Sequence, residues 1–265
     1  MNNSDNTRRF SNRVENYVKY RPGYPLEIID FLKNECALSG KTIIADIGSG
    51  TGISAKLFLN NGNIVYGVEP NKEMREAAEN FLKEYPEFIS INGTAENTTL
   101  ESNSVDMIIS GQAFHWFDKQ ECKSEFKRII KQEGYVILFW NEKTESNDFM
   151  KSYYDLLKIY GTDYEKVNHS TNTDDIVIDK FYSPYGFNKK IFYYRQSLDY
   201  KGLEGRLLSS SYIPLEGENH DKMIKDLKNI FEKYNVNGEI AMEYDTLVYY
   251  GKLQMQRNIK YFKKI

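Results

Sequence analysis

Cysteine is nearly absent from this chain: of 265 residues, only Cys36 and Cys122 carry a thiol. Neither belongs to a CxxC pair or to a Cys/His cluster with metal spacing. A disulfide scaffold and a zinc site are therefore not expected, and both cysteines are read as small apolar side chains without a nucleophilic role. Long apolar runs are missing too. The longest, Tyr135 to Trp140, falls far short of the roughly 20 residues that cross a bilayer. The opening MNNSDNTRRF is polar and leads into no apolar stretch, which predicts neither a secretory leader nor an anchor and points to the cytoplasm. An excess of one charge is also lacking, since 35 basic residues face 38 acidic ones for a formal net charge of −3. With no global positive field to neutralise phosphates, nucleic acid is not expected as a partner.

What is present is an ordinary globular balance, 40% hydrophobic and 28% charged. A chain of this length can bury a sizeable core without staples. A short amphipathic segment, Asn12 to Tyr20, precedes RPGYP at 21–25, whose prolines fix an extended or turning connection. Pro25 then opens a helix with Ile28, Ile29, Leu32 and Cys36 on one face, predicted to stop near Ser39-Gly40. TIIADI reads as a buried strand, GSGTG interrupts it, and Ser54 to Asn61 resumes a helical pattern that ends at Gly62. NIVYGVE is a second strand ending in Glu69. Asn71 caps a helix with Met74, Ala77, Ala78, Phe81 and Leu82 along one stripe. Phe88 to Ile91, Val105 to Ser110 and Tyr135 to Trp140 complete five strands, with a DKQE capping box opening the helix before the last.

Such alternation means right-handed βαβ units around a parallel sheet. Beyond Trp140, Asp148 to Tyr160 is helical, followed by about 25 polar, tyrosine-rich residues without clear periodicity. Strand-like 189–198 and 244–253 flank helical stretches near 201–211 and 220–234. The expected fold is an α/β, Rossmann-like, seven-stranded and mainly parallel sheet with helices on both faces. It forms a single domain over 1–265: a core at 26–140, cap elements at 1–25 and about 141–243, and a last strand at about 244–253. The tyrosines of the second half (Tyr153, Tyr154, Tyr160, Tyr164, Tyr182, Tyr185, Tyr193, Tyr194, Tyr200 and Tyr212) are expected to supply a helical or irregular lid over the strand ends. His169 and His220 receive no role.

The sharpest chemical feature is the run Asp46, Ile47, Gly48, Ser49, Gly50, Thr51, Gly52 between a strand and a helix. Glycines there let a ligand approach the main chain where amides converge. The dinucleotide fingerprint wants glycine at position 53, which is Ile53 here, and no GKS or GKT follows to make a P-loop. Glu69, followed by Pro70, ends the second strand, where a carboxylate can accept hydrogen bonds from both hydroxyls of a ribose.

This GxGxG turn resembles motif I of the class I S-adenosylmethionine-dependent methyltransferases, with Asp46 matching the acid that ends the first strand. Gly93-Thr94-Ala95-Glu96 is similar to the family's adenine-binding loop. QAFHWF at 112–117 and RPGYP at 21–25 resemble the branch that includes type 11 and trans-aconitate-like enzymes. The resemblance covers residues 13–140 well and the remainder poorly. It implies S-adenosylmethionine as cofactor, held by Asp46, Gly48, Ser49, Gly50, Thr51, Gly52, Glu69, Pro70, Ala95, Glu96, Gln112 and Ala113. It also implies that Tyr17, Tyr20 and Arg21 close over the site, Arg21 pairing with the methionine carboxylate and Tyr20 facing the acceptor.

Two residues after the fourth strand carry separate readings. His115 can take a proton from an acceptor hydroxyl or amine, or simply pack at the strand end. Trp116 can meet the sulfonium and the acceptor by cation-aromatic attraction. No DPPY or NPPY tetrapeptide follows the fourth strand, which argues further against nucleic acid. The expected activity is O- or N-methylation of a small molecule, a carboxylate among the acceptors, by a monomer or homodimer that uses no metal. A NAD-dependent oxidoreductase and a non-catalytic S-adenosylmethionine-binding protein stay open as alternatives.

Overall fold

The computed structural model describes residues 13–162 and 175–254, so Asn12, Tyr164 and His169 lie outside the described residues. The seven-stranded sheet has the order β3-β2-β1-β4-β5-β7-β6. Five strands are parallel: β1 (Ile43–Ile47), β2 (Ile64–Val68), β3 (Phe88–Ile91), β4 (Val105–Gly111) and β5 (Ile130–Lys143). The final strand, β7 (Ile240–Gly251), inserts antiparallel between β5 and the edge strand β6 (Phe187–Leu198). The two late strand stretches thus join the same sheet, with the last one inside it.

Side chains alternate across this sheet and feed two cores. Ala45 and Ile47 pack with Phe126 and Ile129 of α5 (Lys119–Ile129) and with Phe181 and Tyr182 of α7 (Asp175–Tyr182). Ile44 packs on the other face with Ile28, Ile29 and Leu32 of α2 (Glu27–Cys36) and with Phe58 of α3 (Ile53–Leu59). A third core joins α6 (Asp148–Tyr160), α8 (Tyr200–Leu208) and α9 (Glu218–Tyr234) to Met242 and Tyr244 of β7. The sequence-predicted helix-bearing faces therefore hold. No helix among the described residues is long and apolar enough to cross a membrane.

Helix ends follow local chemistry, with three corrections. Asn71 Oδ1 accepts from Met74 N at 2.9 Å and opens α4 (Lys72–Phe81) as predicted. Asp118 Oδ1 caps Gln120 N and Glu121 N, yet the reciprocal half of the predicted capping box is absent, because the Asp118 amide donates instead to Glu96 Oε1 at 2.8 Å. Helix α2 stops at Cys36 rather than near Ser39-Gly40, since Ala37 itself takes the left-handed conformation and its N–H returns to Leu32 O. The aperiodic stretch after Tyr160 contains α7, whose Ile178, Phe181 and Tyr182 are buried.

A short helix, α1 (Val14–Tyr20), packs against both α4 and α8. It is fastened by Arg13, whose guanidinium donates to the carbonyls of Leu208, Ser210 and Ile213. The Tyr20 carbonyl accepts from Gln196 Nε2, and the Gly23 carbonyl accepts from Asn141 Nδ2 at 2.8 Å. The N-terminal segment therefore lies across the sheet's carboxyl edge.

Candidate active site

A cavity of about 500 Å³ opens at the carboxyl ends of β1 to β5, beneath that segment. The glycine turn forms its first side. Gly48, at φ +69, packs so tightly against the next loop that a Cβ there would lie 2.6 Å from Ala113 Cβ, which excludes any side chain. Gly50, at φ +54, has nothing within 4 Å of its would-be Cβ and borders the cavity. Thr51 Oγ1 is buried there without a hydrogen-bond partner.

Glu69 ties this turn to the second strand. Its Oε2 accepts from Gly50 N at 3.0 Å and its Oε1 from Asn71 N at 2.9 Å. A carboxylate has about four lone-pair sites, so each oxygen keeps capacity for one more donor. Burial raises the Glu69 pKa, and the Asn71 and Gly50 amides pull it back toward the ionised form.

Ala95 and Glu96 line the cavity from the loop after β3. A second carboxylate holds that loop: Glu125 Oε1 accepts from Thr98 N and Thr98 Oγ1, while Arg128 binds both of its oxygens. The Arg128 guanidinium first, and the Thr98 donors with it, hold the Glu125 carboxyl down at about 2.

Of the sequence-predicted residues, Tyr17, Arg21, Gly48, Ser49, Gly50, Thr51, Glu69, Pro70, Ala95, Glu96, Gln112, Ala113 and Trp116 line this one cavity. Four do not. Asp46 lies wholly buried behind the wall, where its Oδ2 accepts from Ser54 Oγ at 2.6 Å, and burial pushes its pKa up to about 7. Gly52 turns toward α4, its would-be Cβ 2.6 Å from Leu82 Cδ1. Tyr20 turns toward α8, where its ring covers Gly205. His115 sits in the 3₁₀ turn Phe114–Trp116, buried and outside the lining, with its ring beside Trp116. Asp46, Tyr20 and His115 depart because their side chains serve packing or internal hydrogen bonding, and Gly52 because its backbone packs against Leu82.

The remaining side is one that motif reading missed. Tyr24, Trp140, Tyr154, Arg206, Tyr212 and Tyr244 line it. Tyr24, within RPGYP, stacks edge-on against Phe139 at 4.6 Å. Arg206 is buried on α8 and donates from Nε to Tyr244 Oη at 3.4 Å. Arg21 covers the Tyr17 ring at 4.7 Å and donates to Ser209 O. Of the expected lid tyrosines, Tyr154 and Tyr212 reach the cavity, whereas Tyr182 is a core residue and Tyr185 and Tyr193 are exposed. Both cysteines are buried, and that burial lifts their thiols to about 12, which leaves no reactive thiolate.

Residues 45–138 match the model of the methyltransferase domain family. An uncharacterized methyltransferase of Mycobacterium tuberculosis is 32% identical over 158 residues, covering 60% of this chain and 61% of that protein. A methyltransferase-like protein of Schizosaccharomyces pombe is 28% identical over 155 residues, 58% of this chain and 59% of its own length. The chain thus spans about three-fifths of the length of these curated relatives. Among solved structures, a protein assigned as a type II methyltransferase from Anaeromyxobacter dehalogenans superimposes with a TM-score of 0.64. It covers 89% of this chain and 100% of its own at 16% identity, a likeness of fold. The matched stretch holds the glycine turn, Glu69 and the loop after β4, so residues 45–138 resemble a methyltransferase domain.

Proposed function

We propose that this chain transfers a methyl group from S-adenosylmethionine to oxygen or nitrogen of a small-molecule acceptor, carboxylates included. The observation that carries the proposal is the Glu69 carboxylate, fixed by two backbone amides and still able to accept two more hydrogen bonds at the cavity wall. That arrangement suits a ribose diol. Beside it, the bare backbone at Gly50 admits the close approach of a ligand.

In this reading the backbone of Gly48 to Thr51 and Pro70 packs on the methionine and ribose portions, and Ala95 and Glu96 meet the adenine edge. Gln112, Ala113 and Tyr17 enclose the middle of the cofactor. Arg21, whose Nε is buried without a partner, takes the methionine carboxylate. When bound, the cofactor supplies an electrophilic sulfonium methyl. The chain's own contribution is to align the two reactants in a cavity from which water is displaced. Trp116 offers an aromatic face at the wall. His115 has no place in this scheme as a proton acceptor, because it stands outside the lining. Asp46 and Gly52 support the turn from behind, and Tyr20 anchors the overlying segment. Of the described residues, 13–25 form the cap over the cofactor, and 141–162 with 175–243 supply the acceptor side. The absence of a positive net charge favours small cytoplasmic acceptors over nucleic acid.

Calorimetric titration with S-adenosylmethionine, S-adenosylhomocysteine and NAD in parallel tests the reading without knowledge of the acceptor. Micromolar binding of the first two alone supports it. Binding of NAD alone, or of none of the three, overturns it.

A further inference from the structure

The second side of the cavity holds positive charge that nothing among the described residues balances. Arg13, Arg21 and Arg206 are all buried or nearly so, yet among the described residues no carboxylate lies within ion-pair distance of any of them. Arg13 is accounted for by its three carbonyls, and Arg21 by Ser209 O and the Tyr17 ring. Arg206 is different. Its one hydrogen bond among the described residues is the long contact from Nε to Tyr244 Oη, and its neighbours are tyrosines and Arg21 rather than an acid. Its two terminal nitrogens carry four N–H donors that no described group accepts, on a residue that lines the cavity.

Burying a guanidinium without a counter-charge is costly, because the hydration it loses is not replaced. Placing it near a second guanidinium adds repulsion. An anion that enters offsets both. The two acids at this end of the cavity, Glu142 and Glu145, are exposed and lie at its rim, so they leave the floor positive. Tyr153, close by, carries a buried hydroxyl with no hydrogen-bond partner, and Trp140 presents a buried, unpartnered indole N–H in the cavity lining. The Arg206 terminal nitrogens, the Tyr153 hydroxyl and the Trp140 indole N–H therefore stand without a described acceptor.

We propose that Arg206 is an oxyanion-binding residue of the acceptor subsite, holding a carboxylate or phosphate group of the small molecule that is methylated. The planar fork of a guanidinium matches either group through two parallel hydrogen bonds. Two charge-assisted hydrogen bonds lower the nucleophilicity of the oxygens they hold, so the oxyanion is a handle and the methyl goes to another atom of the same molecule. Arg21 does not compete for this part, because the cofactor's one carboxylate uses it. The inference rests on the function proposed above and adds the acceptor's charge to it.

The test uses the full chain saturated with S-adenosylhomocysteine and four matched probes: benzoate, phenyl phosphate, benzamide and benzylamine. Calorimetry and thermal shift are expected to show benzoate or phenyl phosphate binding at least about tenfold tighter than the amide or the amine, and the tighter of the two identifies the oxyanion. Arg206→Met is expected to remove that preference while leaving S-adenosylhomocysteine affinity within about twofold, and Arg206→Lys to restore part of it. Should the methionine variant fail to fold, the lysine variant reports alone through a loss of about threefold or more. Equal binding of benzamide, preference for benzylamine, no binding of any probe, or undiminished benzoate and phosphate binding in the variants would overturn the proposal. Failure of S-adenosylhomocysteine itself to bind the unmodified protein strikes instead at the parent reading.

Discussion

On the side built from residues 48–113 the cavity presents Glu69 and Glu96, both engaged with backbone amides. On the side built from residues 140–244 it presents Arg206, Trp140 and tyrosines, with the Trp140 indole N–H and the Arg206 terminal nitrogens met by no described acceptor. The first side lies almost wholly within the stretch matched by the family model, and the second falls almost entirely outside it. Acidic acceptors prepared by the backbone suit a cationic, hydroxyl-bearing cofactor common to many enzymes. Basic donors left open suit a partner particular to this chain. Family resemblance therefore reads one half of the cavity, and the charge balance reads the other.

The sharpest way to break the comparison is to fill the cofactor side. Gly50→Arg is expected to weaken S-adenosylhomocysteine binding on the order of a thousandfold, about 4 kcal/mol, in calorimetry of folded protein. Unchanged affinity would remove the cofactor from this wall. Next, Glu69→Ala should cost about a hundredfold, near 3 kcal/mol, through the loss of the ribose acceptor and of the amide ties to Gly50 and Asn71. Glu69→Gln should retain part of that affinity.

A stability test probes the join between the two sides. A Cβ at Gly205 would lie 2.1 Å from the Tyr20 ring. Gly205→Val should therefore destabilise the fold by about 2 kcal/mol in urea unfolding, and a second change, Tyr20→Ala, should recover part of the loss.

Acid titration separates the two supporting carboxylates. Glu125, held at about 2, contributes stability that is present above its unfolded value and lost as pH falls toward 2. Glu125→Gln should cost about 1.5 kcal/mol at neutral pH and flatten the acid limb. Asp46, raised by burial to about 7, has the opposite sign: its contribution is full below about pH 4 and disappears as pH rises through 7. Relative to the unmodified protein, Asp46→Asn should flatten the decline of melting temperature between those limits. An unchanged slope would mean that Asp46 is already ionised in that range. The smallest effect is expected at His115. With an identified acceptor, His115→Ala should change turnover by no more than about threefold, whereas an essential general base would cost about a hundredfold or more.

Strand positions up to β5 were legible because buried parallel strands make short apolar runs between glycines and caps, as at TIIADI and NIVYGVE. The start of β5 was not. Its first residue, Ile130, pairs with Val105, but polar residues 131–134 then bulge out before Tyr135 resumes the register, so the sequence there resembles a turn. Glu69 and the glycine turn were legible because backbone geometry demands those residue types. Asp46 at a strand end reads as a ligand, and its inward turn to Ser54 depends on tertiary packing that no motif carries. Arg206 carried no signal: an arginine in a helix reads as a solvated face, and only tertiary contact buries it.

The fastening of α1 bears on the order of events in turnover. Arg13 and Arg21 belong to a segment that roofs the cofactor wall, yet their guanidiniums grip carbonyls from the loop after α8, beside the acceptor wall. A roof pinned to both walls cannot lift over one ligand and stay shut over the other. Under the proposed function, spent cofactor and methylated product are therefore expected to leave through one opening.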